Sequence, residues 1–267
     1  MRICVFGLGE AGSLFASDLA TAGAEVIGFD PAEVGTPQGV KRAVHPALAV
    51  RNAELILSLT GEADSKLAML QAIEAIDTDA LYADLATSSP TVKLDLEAMA
   101  ERKGFAFADV ALLAMVPGHG LATPSLASGP GANRYAETIN RFGGYVEPLA
   151  AATGVAAGRK LLRSVMMKGF AAVILEAVKA GAAADDLGWL WRNLSSEIER
   201  ADDDWLRRIV LGSKVHARRR HSEMISATAM LQALGVDPVM TSATAASLAG
   251  LLDDESELPE LPDNQPA

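Results

Sequence analysis

The sequence predicts an N-terminal α/β domain built on a parallel sheet, followed by an all-α domain. In the first half of the 267 residues, short apolar runs alternate with helical patterns, which is typical of a parallel sheet covered by helices. After about residue 150 the apolar residues recur only at helical spacing. We therefore predict an α/β domain at 1–150, a helical domain at 151–252 and an acidic, disordered tail at 253–267.

The individual elements follow from the same patterns, taken in chain order. The strands predicted in the first domain are Arg2–Phe6, Glu25–Phe29, Ala53–Leu59, Ala80–Asp84 and Phe105–Asp109. The helices predicted between them are Ala11–Ala22, Ala63–Ile76 and Thr91–Arg102. The helices predicted in the second domain are Gly154–Ala180, Asp185–Ile198, Asp203–Leu211, Val215–Leu234 and Pro238–Leu252. The first of these is apolar on nearly every side, which predicts a helix buried by other helices or by a second copy of the chain.

The composition is that of a globular protein, and it excludes several functional classes. Hydrophobic residues make up 50% of the chain and charged residues 21%, which is enough apolar material for one or two cores. The net charge of −11 argues against a protein that binds nucleic acid or an anionic membrane. The single cysteine, Cys4, cannot form an internal disulfide, and no residues show the spacing of metal ligands. We therefore expect a cytoplasmic protein without a metal.

A glycine-rich segment follows the first predicted strand and opens the first predicted helix. It spans Gly7–Gly12 and matches the G-x-G-x-x-G pattern of dinucleotide-binding Rossmann domains. In that pattern the first glycine makes a tight turn, the second lets a pyrophosphate approach the backbone, and the third lets the helix pack closely on the strand. The N–H groups of the helix's first turn then face the phosphates. The segment therefore predicts an NAD(P)-binding site.

The residue that follows the second predicted strand bears on the choice of cofactor. This residue is Asp30, eighteen residues after Gly12. A carboxylate there accepts hydrogen bonds from ribose hydroxyls and repels the 2′-phosphate of NADP. The sequence therefore favours NAD, and NADP stays open because Lys41 and Arg42 lie a short way along the chain. The residues expected to bind the cofactor are Gly7, Leu8, Gly9, Glu10, Ala11, Gly12, Asp30, Thr60 and Thr87.

Three segments, in this order, resemble the β-hydroxyacid dehydrogenase superfamily, which includes 3-hydroxyisobutyrate and 6-phosphogluconate dehydrogenases. The first is Gly7–Gly12, and the second is Asp84–Pro90, which is similar to the family's D-x-S-T-x-x-P segment near the nicotinamide. The third is the helix Gly154–Ala180, where Lys160 precedes Glu176 by sixteen residues, as the family's catalytic lysine precedes a glutamate. The chain is most similar to a subgroup with an uncharacterised C-terminal domain. The resemblance implies hydride transfer between NAD(P) and a small hydroxy or oxo compound.

Two positions depart from the family's pattern. The family places an asparagine four residues after its lysine, where this chain has Ser164, whose hydroxyl can still donate a hydrogen bond. The family's substrate loop, D-x-P-V-S-G-G, is replaced by the apolar stretch Asp109–Met115. The usual acid-binding loop is therefore absent, which leaves the substrate open. The residues expected to bind substrate are Ser88, His119, Ser125, Arg220 and His221.

Two lysines on the long predicted helix are candidates for the group that transfers a proton. Lys160, Ser164 and Lys168 lie at i, i+4 and i+8 and so share one side of the helix. A lysine exchanges a proton with substrate at neutral pH if burial or a neighbouring cation lowers its pKa. Arg159 and Arg163 flank Lys160, whereas Lys168 lies in an apolar run. We predict that Lys160 is the general acid/base and that Ser164 orients the reacting oxygen, with Lys168 as the alternative proton donor.

The predicted function is an NAD(P)-dependent oxidoreductase that acts on a small hydroxy or oxo compound and resembles 3-hydroxyacid dehydrogenases. Two alternatives stay open. One is reduction of a C=N bond, as in the related imine reductases, which the apolar stretch Asp109–Met115 would suit. The other is dinucleotide binding without turnover. The expected partners are a small-molecule substrate and a second copy of the chain, with no nucleic acid and no membrane.

Overall fold

The structure, a computed structural model, describes residues 1–253 and 258–263. The described residues form two compact units, one of residues 1–164 and one that starts at residue 165. Most of the predicted tail at 253–267 lies outside the described residues, and 258–263 have no regular secondary structure. The division into 1–150, 151–252 and a tail stays a prediction.

The first unit is built on one eight-stranded sheet. Its strands are β1 (Arg2–Phe6), β2 (Glu25–Phe29), β3 (Val40–Arg42), β4 (Leu55–Ser58), β5 (Leu81–Asp84), β6 (Ala106–Leu112), β7 (Ser125–Ser128) and β8 (Val146–Pro148). Their order in the sheet is β3-β2-β1-β4-β5-β6-β7-β8, and each neighbouring pair is parallel except β6 with β7. The strand order reverses between β1 and β4, and α/β sheets bind ligands at the carboxyl ends of the strands beside such a reversal.

Helices connect the strands and then make up the second unit. The helices between strands are α1 (Glu10–Thr21), α2 (Pro46–Ala49), α3 (Glu62–Ala72), α4 (Pro90–Lys103) and α5 (Ala132–Arg141). The helices that follow the sheet are α6 (Val155–Ala183), α7 (Leu187–Glu199), α8 (Asp203–Val215), α9 (Ala217–Ala233) and α10 (Val239–Asp253). Short 3₁₀ turns lie at Ile73–Ala75 and Gly120–Ala122. The predicted fold class, a Rossmann-type α/β domain followed by helices, is confirmed.

The core of the first unit has one layer on each face of the sheet. Side chains alternate along β1, so Ile3 and Val5 join the layer under α1 and α5, and Cys4 and Phe6 join the layer under α2, α3 and α4. Burial on both faces explains why β1 is an unbroken apolar run. Burial also raises the pKa of the Cys4 thiol far above its usual range, so this cysteine stays neutral and inert.

The strands nearest the glycine loop begin and end within two residues of their predicted bounds. The predicted strand Phe105–Asp109 instead continues to Leu112, so Asp109 lies inside a strand and does not open a substrate loop. The strands β3, β7 and β8 were not predicted, because β3 and β8 have three residues each and include charged ones, and β7 begins and ends with serine. The helix α5 was also missed, although its buried residues recur at i, i+3, i+4 and i+7.

The long helix α6 exposes much of its apolar surface. The sequence predicts a buried helix, but Leu162, Val165 and Leu175 are 73%, 76% and 60% exposed. Within residues 1–253 and 258–263, no other element covers these side chains. A helix that exposes this much apolar surface is typical of an interface with another protein.

Candidate cofactor and catalytic site

The glycine loop lies at the carboxyl end of β1, before α1. Gly7 has a φ of +81°, and a Cβ at this position would lie 2.5 Å from the carbonyl oxygen of Leu59. A Cβ on Gly12 would overlap the carbonyl oxygen of Gly7. A Cβ on Gly9, in contrast, would meet no described atom within 4 Å. The packing of the chain therefore explains two of the glycines, and the third faces open space that a ligand can fill.

The N-terminus of α1 faces the same region. In the part of the chain that the structure describes, no side chain caps this helix, which begins at the exposed Glu10 and the partly exposed Ala11. Uncapped N–H groups and the positive end of the helix dipole attract phosphate groups. The loop and the helix together therefore have the geometry and the donors that a pyrophosphate needs.

Asp30 lies at the end of β2, next to the loop. Its Oδ2 accepts a hydrogen bond from the Leu8 N–H at 2.7 Å, and its Oδ1 accepts one from the Ala32 N–H at 2.8 Å. These two bonds fix the carboxylate at the rim of the loop. The carboxylate therefore stands where the sequence predicts a ribose to bind.

The two basic residues near Asp30 are both engaged elsewhere. The Arg42 guanidinium donates to the backbone carbonyl of Asp30 at 2.9 Å and also to the carbonyls of Ala32 and Val34. The Lys41 ammonium pairs with Glu25 at 2.9 Å. Neither cation contacts the Asp30 carboxylate, and the Arg42 donors are used to hold the chain between β2 and β3.

A cavity of about 370 Å³ joins these features. Gly7, Gly9 and Asp30 line one side, and Thr60 lines another, with its Oγ1 3.3 Å from the Ser58 Oγ. The remaining lining is mostly apolar and comes from β1, β2, α2, α3 and the loop after β4. An apolar cavity with a few fixed polar groups is typical of a cofactor site. The open space over Gly9, the uncapped helix and the fixed carboxylate fit a dinucleotide.

The segment Asp84–Pro90 lies at the carboxyl end of β5. Ser89 caps α4 by accepting a hydrogen bond from the Val92 N–H, and Thr87 is exposed. Ser88 is only 2% exposed, and its hydroxyl has no hydrogen-bond partner in the part of the chain that the structure describes. A buried hydroxyl without a partner is able to bind a ligand group.

The start of α6 packs against this segment. A Cβ on Gly154 would lie 3.1 Å from the Pro90 Cβ, and one on Gly158 would lie 3.8 Å from the Pro90 Cγ. Lys160 and Ser164 follow on the same helix and are both partly exposed. The first unit therefore holds the start of α6 against Pro90, and Lys160 follows Gly158 by two residues. Lys168 is exposed and belongs to the second unit.

The other residues predicted to bind substrate are more scattered. Ser125 is buried in β7, and its hydroxyl donates to the Tyr145 carbonyl at 3.3 Å. His119 is exposed in the loop after β6, with its Nδ1 3.0 Å from the Met115 carbonyl oxygen. Arg220 and His221 lie on α9 in the second unit, where Arg220 donates to the Ser213 hydroxyl at 2.7 Å. Within the first unit, neither Ser125 nor His119 is among the residues that line the cavity beside the glycine loop.

One buried cluster was missed by sequence reasoning. Lys93 of α4 contacts Asp84 at 2.8 Å and Asp109 at 3.5 Å, and all three side chains are fully buried. Asp84 and Asp109 are direct neighbours in the register of β5 and β6. Each of the two aspartates is the last residue of a predicted strand. This shared position is the feature of the sequence that could have indicated the cluster.

Among residues 1–253 and 258–263 there is no group of three or more His, Cys, Asp or Glu side chains that could hold a metal ion. No helix in these ranges has the length and hydropathy to cross a bilayer.

Two domain families match the chain. Residues 2–118 match the NAD binding domain of 6-phosphogluconate dehydrogenase, and residues 182–251 match a domain of unknown function. A relative from Methanothermus fervidus, an uncharacterised 28.5 kDa protein, is 26% identical over 165 residues. That match covers 61% of this chain and 63% of the relative, which is less than two thirds of its length.

Solved structures share the fold over nearly the whole chain. An imine reductase from Myxococcus stipitatus in complex with NADP⁺ is 16% identical with a TM-score of 0.80, covering 95% of this chain and 94% of that one. A conserved protein of unknown function, described as similar to 3-hydroxyacid dehydrogenases, is 24% identical with a TM-score of 0.57, covering 95% and 97%. These likenesses show that the fold of the chain is shared with those proteins. The chain is therefore similar over residues 2–118 to the NAD binding domain of 6-phosphogluconate dehydrogenase, and over residues 182–251 to a domain of unknown function.

Proposed function

We propose that the protein is an NAD-dependent oxidoreductase that moves a hydride between the cofactor and a small hydroxy or oxo compound. The observation that carries the proposal is the meeting of the open space over Gly9, the uncapped start of α1 and the fixed Asp30 carboxylate around one cavity.

NAD is the preferred cofactor in this proposal. The Asp30 carboxylate would accept hydrogen bonds from ribose hydroxyls and would repel a 2′-phosphate. The donors of Arg42 are used on backbone carbonyls, and Lys41 is paired with Glu25, so neither cation is directed at a 2′-phosphate.

In this proposal Lys160 is the group that exchanges a proton with the substrate. The bound nicotinamide supplies or accepts the hydride. An alcohol that loses a hydride must also lose its hydroxyl proton, and a neutral Lys160 amine is the group proposed to take it. In the reverse direction the Lys160 ammonium returns the proton to the oxygen. Ser164 is one turn along the same face of α6, where its hydroxyl is proposed to orient the reacting oxygen.

Reduction of a C=N bond is the second candidate function. The segment that would hold a carboxylate in 3-hydroxyacid dehydrogenases is apolar here, and β6 runs through its first half to Leu112. The next residues, Leu113–Met115, are partly or fully exposed. An apolar surface of this kind suits an imine better than an anionic acid, and Lys160 would then deliver the proton to nitrogen.

One experiment separates these functions. The purified protein is assayed with NADH, NADPH and their oxidised forms against a panel of small alcohols and ketones and a panel of cyclic imines. Turnover on the first panel supports the dehydrogenase, and turnover on the second supports the imine reductase. NADH binding without turnover on either panel would overturn both and leave a dinucleotide-binding protein.

We further propose that the protein acts in the cytoplasm as a homodimer. The exposed apolar side chains of α6 support the dimer, and the single buried cysteine suits a reducing compartment.

A further inference from the structure

The buried cluster of Lys93, Asp84 and Asp109 has no part in the proposed hydride transfer. Two carboxylates share one ammonium there, and all three side chains are fully buried. Buried charges are costly unless other groups offset them. The cluster therefore needs a second source of positive charge.

That second source is the start of α6. The Asp109 Oδ2 accepts hydrogen bonds from the Gly154 N–H at 3.0 Å and the Ala157 N–H at 3.1 Å. The Ser128 hydroxyl donates to the same oxygen at 3.0 Å and accepts from the Ala156 N–H at 3.0 Å. A carboxylate that caps a helix N-terminus is stabilised by these donors and by the helix dipole.

The two carboxylates thus have different roles. Asp84 accepts from the Lys93 ammonium at 2.8 Å and from the Ser65 hydroxyl at 3.1 Å, and neither donor belongs to α6. Asp109 is the one whose hydrogen bonds reach the long helix.

The first turn of α6 carries this restraint to Lys160. Lys160 is four residues after Ala156 and three after Ala157, so it lies one turn further along the same face of the helix. Pro90 packs against the same turn at Gly154 and Gly158. We propose that Asp109 is a positioning residue, which holds the first turn of α6 and thereby fixes the position of Lys160 in the first unit. The inference rests on the proposed catalytic role of Lys160.

Two charge-matched variants test it. Asp109→Asn removes the carboxylate that caps α6, and Asp84→Asn removes its neighbour and leaves the cap in place. Each leaves Lys93 with one carboxylate, so the net charge of the buried cluster is the same in both. NADH binding and thermal unfolding show that each variant is folded and binds the cofactor.

We expect Asp109→Asn to lower kcat by about tenfold to a hundredfold, because a displaced catalytic group loses rate steeply with distance. The Kd for NADH should stay within about twofold, and Asp84→Asn should keep kcat within about threefold of wild type. In a Lys160→Met background, Asp109→Asn should cost no further kcat, since the group that it positions is gone. Equal losses of kcat in both asparagine variants, or a full further loss in the Lys160→Met background, would overturn the proposal.

A second readout needs no substrate. Reductive methylation with formaldehyde, followed by peptide mass spectrometry, gives the reaction rate of Lys160 relative to the exposed Lys168 of the same helix. Asp109→Asn should change this ratio and Asp84→Asn should not; an unchanged ratio in Asp109→Asn contradicts the positioning role. If Lys160→Met keeps full turnover, the proposed proton transfer fails whatever the methylation shows. If Lys160→Met loses turnover and Asp109→Asn keeps it, only the positioning inference fails.

Discussion

At the scale of single residues, the cofactor preference depends on where the side chains around Asp30 direct their hydrogen bonds. The carboxylate is held by two N–H groups, and the nearby Arg42 holds backbone carbonyls. A 2′-phosphate would meet a negative charge without a cation directed at it. A preference for NAD therefore follows from two features. The Asp30 carboxylate repels a 2′-phosphate, and the Arg42 guanidinium is engaged with backbone carbonyls.

Fluorescence titration with NADH and NADPH measures this preference. Wild type should bind NADH more tightly, and Asp30→Ser should weaken NADH binding by about tenfold or more, since hydrogen bonds to a charged group are lost. The variant should not gain tight NADPH binding, because Arg42 remains on the carbonyls. Glu137→Ser, an exposed substitution on α5, removes the same charge and is the control for loss of charge alone. Tighter binding of NADPH than NADH by wild type would contradict the account of Asp30.

Lys160 carries the second prediction at this scale. Lys160→Met keeps the aliphatic stem and removes the amine, so folding and NADH binding should survive. The turnover rate should fall by about 10²- to 10⁴-fold, which is the usual contribution of a positioned proton donor. Lys168→Met is the matched variant, two turns further along the helix. If Lys168→Met loses turnover and Lys160→Met does not, the assignment moves to Lys168.

At the scale of elements, Glu176 of α6 has a clear structural task in the second unit. Its carboxylate accepts hydrogen bonds from the Met240 N–H at 2.7 Å and from the Thr241 N–H and hydroxyl at 2.8 and 2.6 Å, which caps α10. Burial disfavours the charged carboxylate, but these hydrogen bonds outweigh it and lower the pKa of Glu176. The glutamate that marks the family resemblance thus holds two helices together.

The lowered pKa predicts how stability depends on pH. Because the pKa of Glu176 is lower in the folded chain than in the unfolded one, its contribution is complete above about pH 4.3, the unfolded value, and is lost as the pH falls through the folded value. Glu176→Gln should therefore cost about 1–2 kcal/mol of unfolding free energy at neutral pH. Denaturant unfolding at several pH values should show this cost shrinking in acid. An equal cost at every pH, or the same cost for the exposed Glu199→Gln, would contradict the cap.

The sequence predicted well the elements that carry the cofactor site. The run before Gly7 and the spacing to Asp30 follow local rules, since a buried parallel strand is continuously apolar and the glycine pattern has fixed offsets. The cluster around Lys93 could not be predicted, because it depends on the register of β5 with β6 and on how α4 packs over them. The exposure of α6 could not be predicted from the sequence either, because the spacing of apolar residues does not show which other element covers a helix.

At the scale of the whole molecule, the exposed face of α6 predicts an assembly. Leu162, Val165 and Leu175 are more than half exposed in a helix that the sequence makes apolar on nearly every side. Burying them in a twofold interface would remove this surface from water. Light scattering at micromolar concentration should give about twice the 27.8 kDa of one chain. Leu162→Glu together with Val165→Glu should shift the mass toward one chain, with the exposed Leu67→Glu of α3 as control. A mass near 27.8 kDa for wild type would contradict the dimer.

Titration of wild type and Gly9→Val with NADH shows whether the glycine loop holds a dinucleotide. A Cβ on Gly9 meets no described atom within 4 Å, and its φ of −67° is open to any residue. The variant should therefore unfold at the same temperature as wild type. Because the added side chain fills the space over the loop, saturable NADH binding should be present in wild type and absent in Gly9→Val. Equal NADH affinity in the two proteins, or no NADH binding by folded wild type, would contradict the account.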